Sequence, residues 1–247
     1  ADALRLTGSE TVIEIGPGRG ALTRLLAPRA RRLIAVEVDR ALVPLLHAEF
    51  ADRPQVEIIE ADVLERPLAA LAGGPYVVAG NVPYYITTPI LFHALELPRA
   101  ERAVFLVQRE VAERVVAPPG SRRYGALSVN VQSVARAEIV DHVSRGAFRP
   151  PPAVDSSILR LTPLAEPLVP PAEEAALRGL VQRVFTQRRK QMRRVLRGVE
   201  GLDVERADAA LIAAGINAEV RPETLSPETF VRLLRALDAA RRPPSGA

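Results

Sequence analysis

Short apolar runs alternate with stretches of helical spacing through the longer first part of the chain, and helical spacing alone follows. Val12-Ile13-Glu14-Ile15 is an apolar run long enough for a strand buried in a parallel sheet. Gly16, Gly18 and Gly20 follow at once, and residues 21–27 then take helical spacing that stops before Pro28. Residues 33–39, apolar up to Glu37, predict a second strand. Residues 56–60 predict a third, which runs into Ala61-Asp62. Residues 76–79 predict a fourth, leading into Asn81-Val82-Pro83-Tyr84. Strand, glycine turn and helix open a doubly wound, mostly parallel sheet, whose ligand crevice lies at the carboxyl ends of the strands. Pro150-Pro151-Pro152 and the prolines of 167–171 bracket residues 157–161, which read as a last, edge-side strand. Beyond Pro171 the pattern is helical over 173–187, 191–197, 204–214 and 227–240, with 241–247 as a fraying tail. The predicted fold is therefore α/β, with residues 1–167 as one domain and 168–247 as a small all-helical domain.

Composition narrows the function classes. The chain has 247 residues, 48% of them hydrophobic, enough for a substantial core. No run approaches a membrane span and no signal-peptide pattern occurs, so a cytoplasmic protein with no membrane partner is expected. Cysteine is absent, and His47, His93 and His142 are scattered without ligand spacing, so no metal is expected. No G-x-S-x-G nucleophile motif occurs. All basic residues but Lys190 are arginine; with 22 prolines, that bias suits a GC-rich genome or a heat-tolerant protein.

Net charge is only +4, but it is unevenly spread. Arg178, Arg183, Arg188, Arg189, Lys190, Arg193, Arg194 and Arg197 occur with no acidic residue among them. A solvated helix face mixes signs, so this run reads better as a phosphate-contacting ridge for RNA. Arg122, Arg123 and Arg149 extend that expected surface around the mouth of the site, with the rings of Tyr84 and Phe148 among the charges.

The glycine loop fits a nucleotide-like cofactor, because the backbone must turn tightly and approach its ligand without a Cβ in the way. Its G-x-G-x-G spacing is one residue short of the dinucleotide fingerprint, which favours a cofactor without a pyrophosphate. Glu37, 17 residues after Gly20, ends the second strand, where an acid can accept the hydroxyls of an adenosine ribose. Asp62 brings a second carboxylate to the same edge for an adenine amine. The plainer reading makes Glu37, Asp39 and Asp62 loop starts or helix caps.

Asn81-Val82-Pro83-Tyr84 carries the chemistry. An adenine N6 lone pair is delocalised into the ring and attacks poorly. The Asn81 side-chain oxygen and the Val82 carbonyl can accept both amine protons, drawing the nitrogen towards tetrahedral geometry in the transition state. Pro83 fixes the turn and offers no N–H, and Tyr84 gives the base a ring to stack on. With the loop upstream, the pair of motifs reads as methyl transfer from S-adenosylmethionine to the N6 amine of adenine.

In these motifs the chain resembles the bacterial KsgA-type rRNA adenine N6,N6-dimethyltransferases. The resemblance runs from about Val12 to about Leu234. It includes Gln108-Arg109-Glu110-Val111, Tyr124-Gly125-Ala126-Leu127-Ser128, the stretch from Phe148 to Ser156, Phe185-Thr186-Gln187-Arg188-Arg189-Lys190 and Arg221-Pro222-Glu223-Thr224-Leu225-Ser226. It implies a Rossmann-like, S-adenosylmethionine-dependent methyltransferase domain and a helical rRNA-binding domain. Glu14, Gly16, Gly18, Gly20, Glu37, Asp62, Val63 and Asn81 would hold the cofactor. Asn81, Tyr84 and Phe148 would act on the target, the two rings sandwiching it. The implied substrate is a pair of adjacent adenines near the 3′ end of small-subunit rRNA, each methylated twice, in an immature 30S subunit met by a monomeric enzyme.

Val82 and Tyr85 replace the family's more usual Leu and Asn. Its Gly-Gln-Asn/His-Phe-Leu type segment has no match in residues 1–11, and the expectation is a site left open over the methionine half of the cofactor. Three alternatives share part of the pattern: a large-subunit rRNA adenine methyltransferase of the macrolide-resistance type, a DNA adenine methyltransferase, and a ribosome-assembly factor in which catalysis is secondary. The helical region with Gln187-Arg188-Arg189-Lys190 favours the small-subunit type over the first. The lack of a DNA-reading domain counts against the second, and the intact tetrapeptide against pure binding.

Overall fold

The computed structural model describes residues 1–198 and 203–241; most of the expected tail, 242–247, lies outside them. The chain forms two compact units, Ala1–Ala112 with Ala135–Leu164, and Glu113–Val134 with Ala165–Ala247.

The first unit is built on one seven-stranded sheet. Its strands are β1 (Thr11–Ile15), β2 (Arg32–Glu37), β3 (Val56–Glu60), β4 (Tyr76–Asn81), β5 (Arg102–Gln108), β6 (Ala135–Val143) and β7 (Ser156–Pro163), in the order β3-β2-β1-β4-β5-β7-β6. The first five run parallel, and β7 pairs antiparallel with both β5 and β6. The sheet is thus mixed, as expected of a mostly parallel α/β domain. β1, β2 and β4 are apolar on both faces because helices cover parallel strands on both sides; Val12, Ile13, Leu33, Ile34, Val77 and Val78 are fully buried. Leu4, just before β1, packs with Val12, Leu26, Leu33, Val77, Ala79 and Val104 in one cluster. The strand expected at the edge, 157–161, lies within β7, one place in from the edge. β6 takes the edge itself, with a register shift between Ile139 and Asp141.

Among the described residues the helices are α1 (Thr23–Leu26), α2 (Val43–Glu49), α3 (Leu68–Ala72), α4 (Thr87–His93), α5 (Arg109–Val115), α6 (Ala126–Gln132), α7 (Pro171–Thr186), α8 (Met192–Leu196), α9 (Val204–Ala213) and α10 (Pro227–Arg241). The last four match the expected helical stretches. α7 starts with Pro171 at its first turn, where the missing N–H costs nothing, and with Glu173 and Glu174 at its positive end.

The sequence pattern predicts a single cut at 167/168. In the structure the helical unit also takes Glu113–Val134. The reason is Tyr124, which is fully buried and donates its hydroxyl to Leu225 O at 2.8 Å. Its ring meets Phe185 edge-on at 6.2 Å, and Phe185 in turn lies 5.7 Å from Phe230. Burial raises the Tyr124 phenol above its ordinary pKa, so the hydroxyl remains a donor. Ser128 accepts from Gly125 N and donates to Arg114 O, which pins the start of α6.

Candidate active site

The parallel register brings the four expected strand ends to one edge. Ile15 pairs with Val36 on one side and Gly80 on the other, Glu37 pairs with Glu60, and Asn81 lies one residue past the Ile15–Gly80 pair. Neighbouring strands lie about 4.8 Å apart, so Glu37 and Asn81, two strands removed, stand roughly 10 Å apart across β1. The Gly16–Gly20 loop leaves β1 between them.

All three loop glycines take positive φ, at 65°, 59° and 77°. Glycine alone enters that left-handed region without strain. Gly16 N donates to Val36 O at 3.0 Å and Gly20 N to Pro17 O at 2.9 Å. Gly20 is doubly constrained, since a Cβ there would come within 3.0 Å of the Phe50 ring.

Glu37 is 5% exposed, and both its oxygens are engaged. Oε2 accepts from Gly18 N at 2.9 Å, and Oε1 accepts from Val38 N at 3.0 Å and Asp39 N at 2.9 Å. Three of about four acceptor sites are thereby filled. The expected acceptance of both ribose hydroxyls thus finds one open site, on Oε2. Asp62 caps the short turn Val63–Glu65 by accepting from Leu64 N at 2.9 Å, and Val63 is buried. Asp39 accepts from Ala41 N. Glu37 therefore braces both its own loop and the glycine loop, while Asp39 and Asp62 brace their own, and all three stand at the carboxyl edge of the sheet.

Glu14 is different. Its side chain is 1% exposed, and Oε2 has no hydrogen-bond partner; neither has the buried Thr23 Oγ1. Burial drives its pKa up to about 7; nearby Thr23 offsets part of the rise and the Glu37 charge adds to it. A buried carboxylate without a completed partner set, at the root of a glycine loop, suits a ligand with a cationic group.

On the target side, the Asn81 side chain is exposed and forms no hydrogen bond to the described residues. Val82 is buried, and Thr87 Oγ1 donates to Pro83 O at 3.2 Å, which fixes the turn. The Tyr84 hydroxyl lies 3.1 Å from Oγ of Ser156, the buried first residue of β7. Phe148 is half-buried at the end of the Arg145–Ala147 turn, and Asp155 braces that turn by accepting from Arg145 N at 3.0 Å. Tyr84 and Phe148 make no ring contact with each other among the described residues. Ser156 and Asp155 stand in a sequence motif that assigns them no role; only the fold shows what they hold. Sequence reasoning misses Gly80 altogether: a Cβ there would lie 3.0 Å from both Ile15 O and Val82 Cγ1, so close pairing of β1 with β4 demands glycine next to Asn81.

The basic residues divide between the units. Arg149, exposed beside Phe148, belongs to the first; Arg122, Arg123, Arg188, Arg189, Lys190 and Arg193 belong to the second. Arg188 is tied down, donating to Glu223 at 2.7 Å and to Arg122 O at 2.7 Å, and Arg123 pairs with Glu113 at 2.8 Å. Arg189, Lys190 and Arg193 are exposed. A cleft of about 350 Å3 is lined by Arg189, Lys190, Gln191, Arg194, Glu219 and Arg221, so four cations face one carboxylate. Arg194 belongs to the basic run read from the sequence as a phosphate ridge, whereas Arg221 stands in a stretch that draws attention only as a family motif. Among the described residues no cluster of three or more histidines and acids can hold a metal ion, and no helix is long and apolar enough to cross a membrane.

Sheet order, glycine loop and strand-end acids define a Rossmann-like methyltransferase. Two solved structures share the fold over nearly the whole chain. One is the 23S rRNA methyltransferase ErmE, 32% identical with a TM-score of 0.73, covering 96% of this chain and 94% of that one. The other is a dimethyladenosine transferase from Plasmodium falciparum, 25% identical with a TM-score of 0.81, covering 97% and 94%. The family described as Ribosomal RNA adenine dimethylase matches residues 1–239, and the chain belongs to that family. Among its relatives is ribosomal RNA small subunit methyltransferase A of Acidobacterium capsulatum, 46% identical over 96% of this chain and 84% of the relative. The protein of the same name from Geobacter metallireducens is 42% identical over 97% and 89%.

Proposed function

We propose that this enzyme transfers methyl groups from S-adenosylmethionine to the N6 amines of two adjacent adenines near the 3′ end of 16S small-subunit rRNA. The observation that carries this reading is the unpartnered, exposed Asn81 at the tip of β4, next to the Val82 carbonyl and the anchored ring of Tyr84. The residues fit the cofactor: Glu14 has an orphaned buried oxygen for a cation, the glycine loop leaves room for close approach, and Glu37 and Asp62 each keep an open acceptor site. The cofactor supplies an electrophilic methyl on a sulfonium.

The chain does the rest. Asn81 Oδ1 and the Val82 carbonyl accept the two amine protons, which favours the pyramidal nitrogen of the transition state over the planar ground state. Tyr84, held through Ser156, and Phe148 supply ring faces for the base, and Arg149 a charge for its phosphate. The amine reacts neutral and loses its proton after attack, so no side chain need act as a base beforehand. In the second unit, the cleft of Arg189, Lys190, Arg194 and Arg221, with Arg193 nearby in sequence, takes backbone phosphates. The working partner is the immature 30S subunit in the cytoplasm, met by a monomer.

The test is methyl transfer from labelled cofactor onto immature small subunits, free small-subunit RNA, large subunits and duplex DNA in parallel, with the wild type and Asn81→Ala. Small-subunit material should be labelled best. Asn81→Ala should keep cofactor affinity within a few fold and lose turnover by roughly 100-fold or more, the scale of removing one transition-state donor or acceptor. Preferential labelling of large subunits would instead favour the ErmE-like reading, and near-normal turnover of the variant would overturn the role of Asn81.

A further inference from the structure

The chain has four tyrosines and six phenylalanines, and nine of these ten rings are buried or half-buried. The exception is Tyr85, which is 84% exposed. It lies in the short turn Tyr84–Ile86, directly after the tetrapeptide. Its neighbour Tyr84 is tied to Ser156, whereas Tyr85 has no hydrogen bond and no ring contact among the described residues. A ring left in water does little for the fold, and tyrosine, with an apolar face and a polar tip, is enriched at contact surfaces. Pro83, Thr88 and Pro89 around it are also exposed, so the ring stands clear.

We propose that Tyr85 is a second stacking platform, which holds the nucleotide next to the target adenine. This rests on the reading of Asn81–Tyr84 as the adenine site. The chemistry of a tandem substrate favours stacking there over hydrogen bonding. An adenine dimethylated at N6 has no N–H left to donate, so an acceptor that recognised the unmodified neighbour would lose it after the first round. Its π face persists in every methylation state, and stacking on an aromatic ring tolerates any base. One ring can therefore hold the neighbour before and after modification, while the other adenine occupies the site.

The experiment uses the full chain, labelled cofactor and immature small ribosomal subunits, with Tyr85→Ala, Tyr85→Phe and Asn81→Ala in parallel. Products are resolved by mass spectrometry into RNA methylated on one adenine or on both. Tyr85→Ala should raise KM for the subunit roughly 5- to 100-fold, the range of one base–aromatic stack removed. Cofactor affinity and melting temperature should stay unchanged, and product with only one adenine dimethylated should accumulate. Tyr85→Phe should restore both KM and the product ratio, since the ring and not the hydroxyl acts. Unchanged KM and product ratio in Tyr85→Ala, or failure of Phe to restore them, would overturn the proposal while leaving the adenine site intact. Full turnover by Asn81→Ala would instead show that the adenine reading itself had failed.

Discussion

Glu14 gives the protein a pH-dependent stability that one substitution should remove. The carboxyl is buried on the central strand β1, and its pKa is pushed up from 4.5 to about 7, chiefly by burial. Because the folded value lies above the unfolded one, the folded state holds the proton more tightly. That contribution is fully present below pH 4.5, falls as pH rises between 4.5 and about 7, and is lost above it. At about 1.4 kcal/mol per pH unit, the swing is on the order of 3 kcal/mol. Glu10 does not confound the measurement. Against the opposing push of burial, the Thr7 amide and Arg102 hold it down to about 2, so it loses stability only as pH falls below 4.5.

Glu14→Gln keeps the shape and removes the titration. Urea unfolding of the wild type should lose about 2.5 kcal/mol between about pH 5 and about pH 8, while the variant should stay nearly flat over that window. Above pH 7 the variant should be the more stable protein, because it has no charge to bury on β1. A cationic cofactor group beside Glu14 favours the ionised form, so wild-type cofactor affinity should rise with pH through about 7 and that of the variant should not. Parallel pH dependence of stability in the two proteins would refute the argument.

Two further outcomes are expected. Gly80→Ala places a Cβ 3.0 Å from Ile15 O and Val82 Cγ1; overpacking of this kind costs about 1–3 kcal/mol. It should lower both the melting temperature and the turnover, and an unchanged melting curve would show that β1 and β4 can part there freely. Reversing Arg189, Lys190 and Arg193 to Glu should weaken rRNA binding and flatten its salt dependence, by roughly 0.7–0.9 in log–log slope for each phosphate no longer neutralised. Arg188 is left out because it holds Glu223 and the Arg122 carbonyl within the helical unit; an unchanged slope would assign the three exposed cations to solvent.

The parallel strands are legible in the sequence because burial on both faces leaves continuous apolar runs, as in Val12-Ile13 and Leu33-Ile34-Ala35-Val36. β6 is not. It is an edge strand with mixed exposure, and the shift between Ile139 and Asp141 breaks the alternation that would mark it. β5 is apolar enough to read, yet its end merges into the Gln108–Val111 motif, which hides it as an element. The membership of Glu113–Val134 in the helical unit depends on Tyr124 reaching Leu225, 101 residues away, and no local pattern encodes such a contact. At the candidate site, residue types and their order are readable, because glycine, acid and Asn-Val-Pro-Tyr each follow a strand. What each group touches is not readable. The Gly18–Glu37 bond, the Ser156 anchor under Tyr84 and the commitment of Arg188 to Glu223 all follow from approach in space.

The polar groups at the strand ends sort by whether the free chain satisfies them. Glu37, Asp39 and Asp62 are taken up by loop amides and make the edge rigid. Glu14 Oε2, the Asn81 side chain and the Tyr85 ring are left without internal partners, but their costs differ. Asn81 and Tyr85 face water, so the fold loses little by leaving them free. The Glu14 oxygen is buried, and an unmet buried polar group costs about 1–3 kcal/mol. The candidate cofactor end therefore carries a local destabilisation that a bound cation would relieve, and on the proposed reading occupancy there should strengthen the fold by linkage. At the target end there is no such penalty, so the proposed RNA affinity is expected to come from stacking and phosphate contacts. On the proposed reading, a site divided in this way would hold its cofactor through a buried carboxylate and its RNA through surface groups, Asn81, Tyr85 and the exposed arginines.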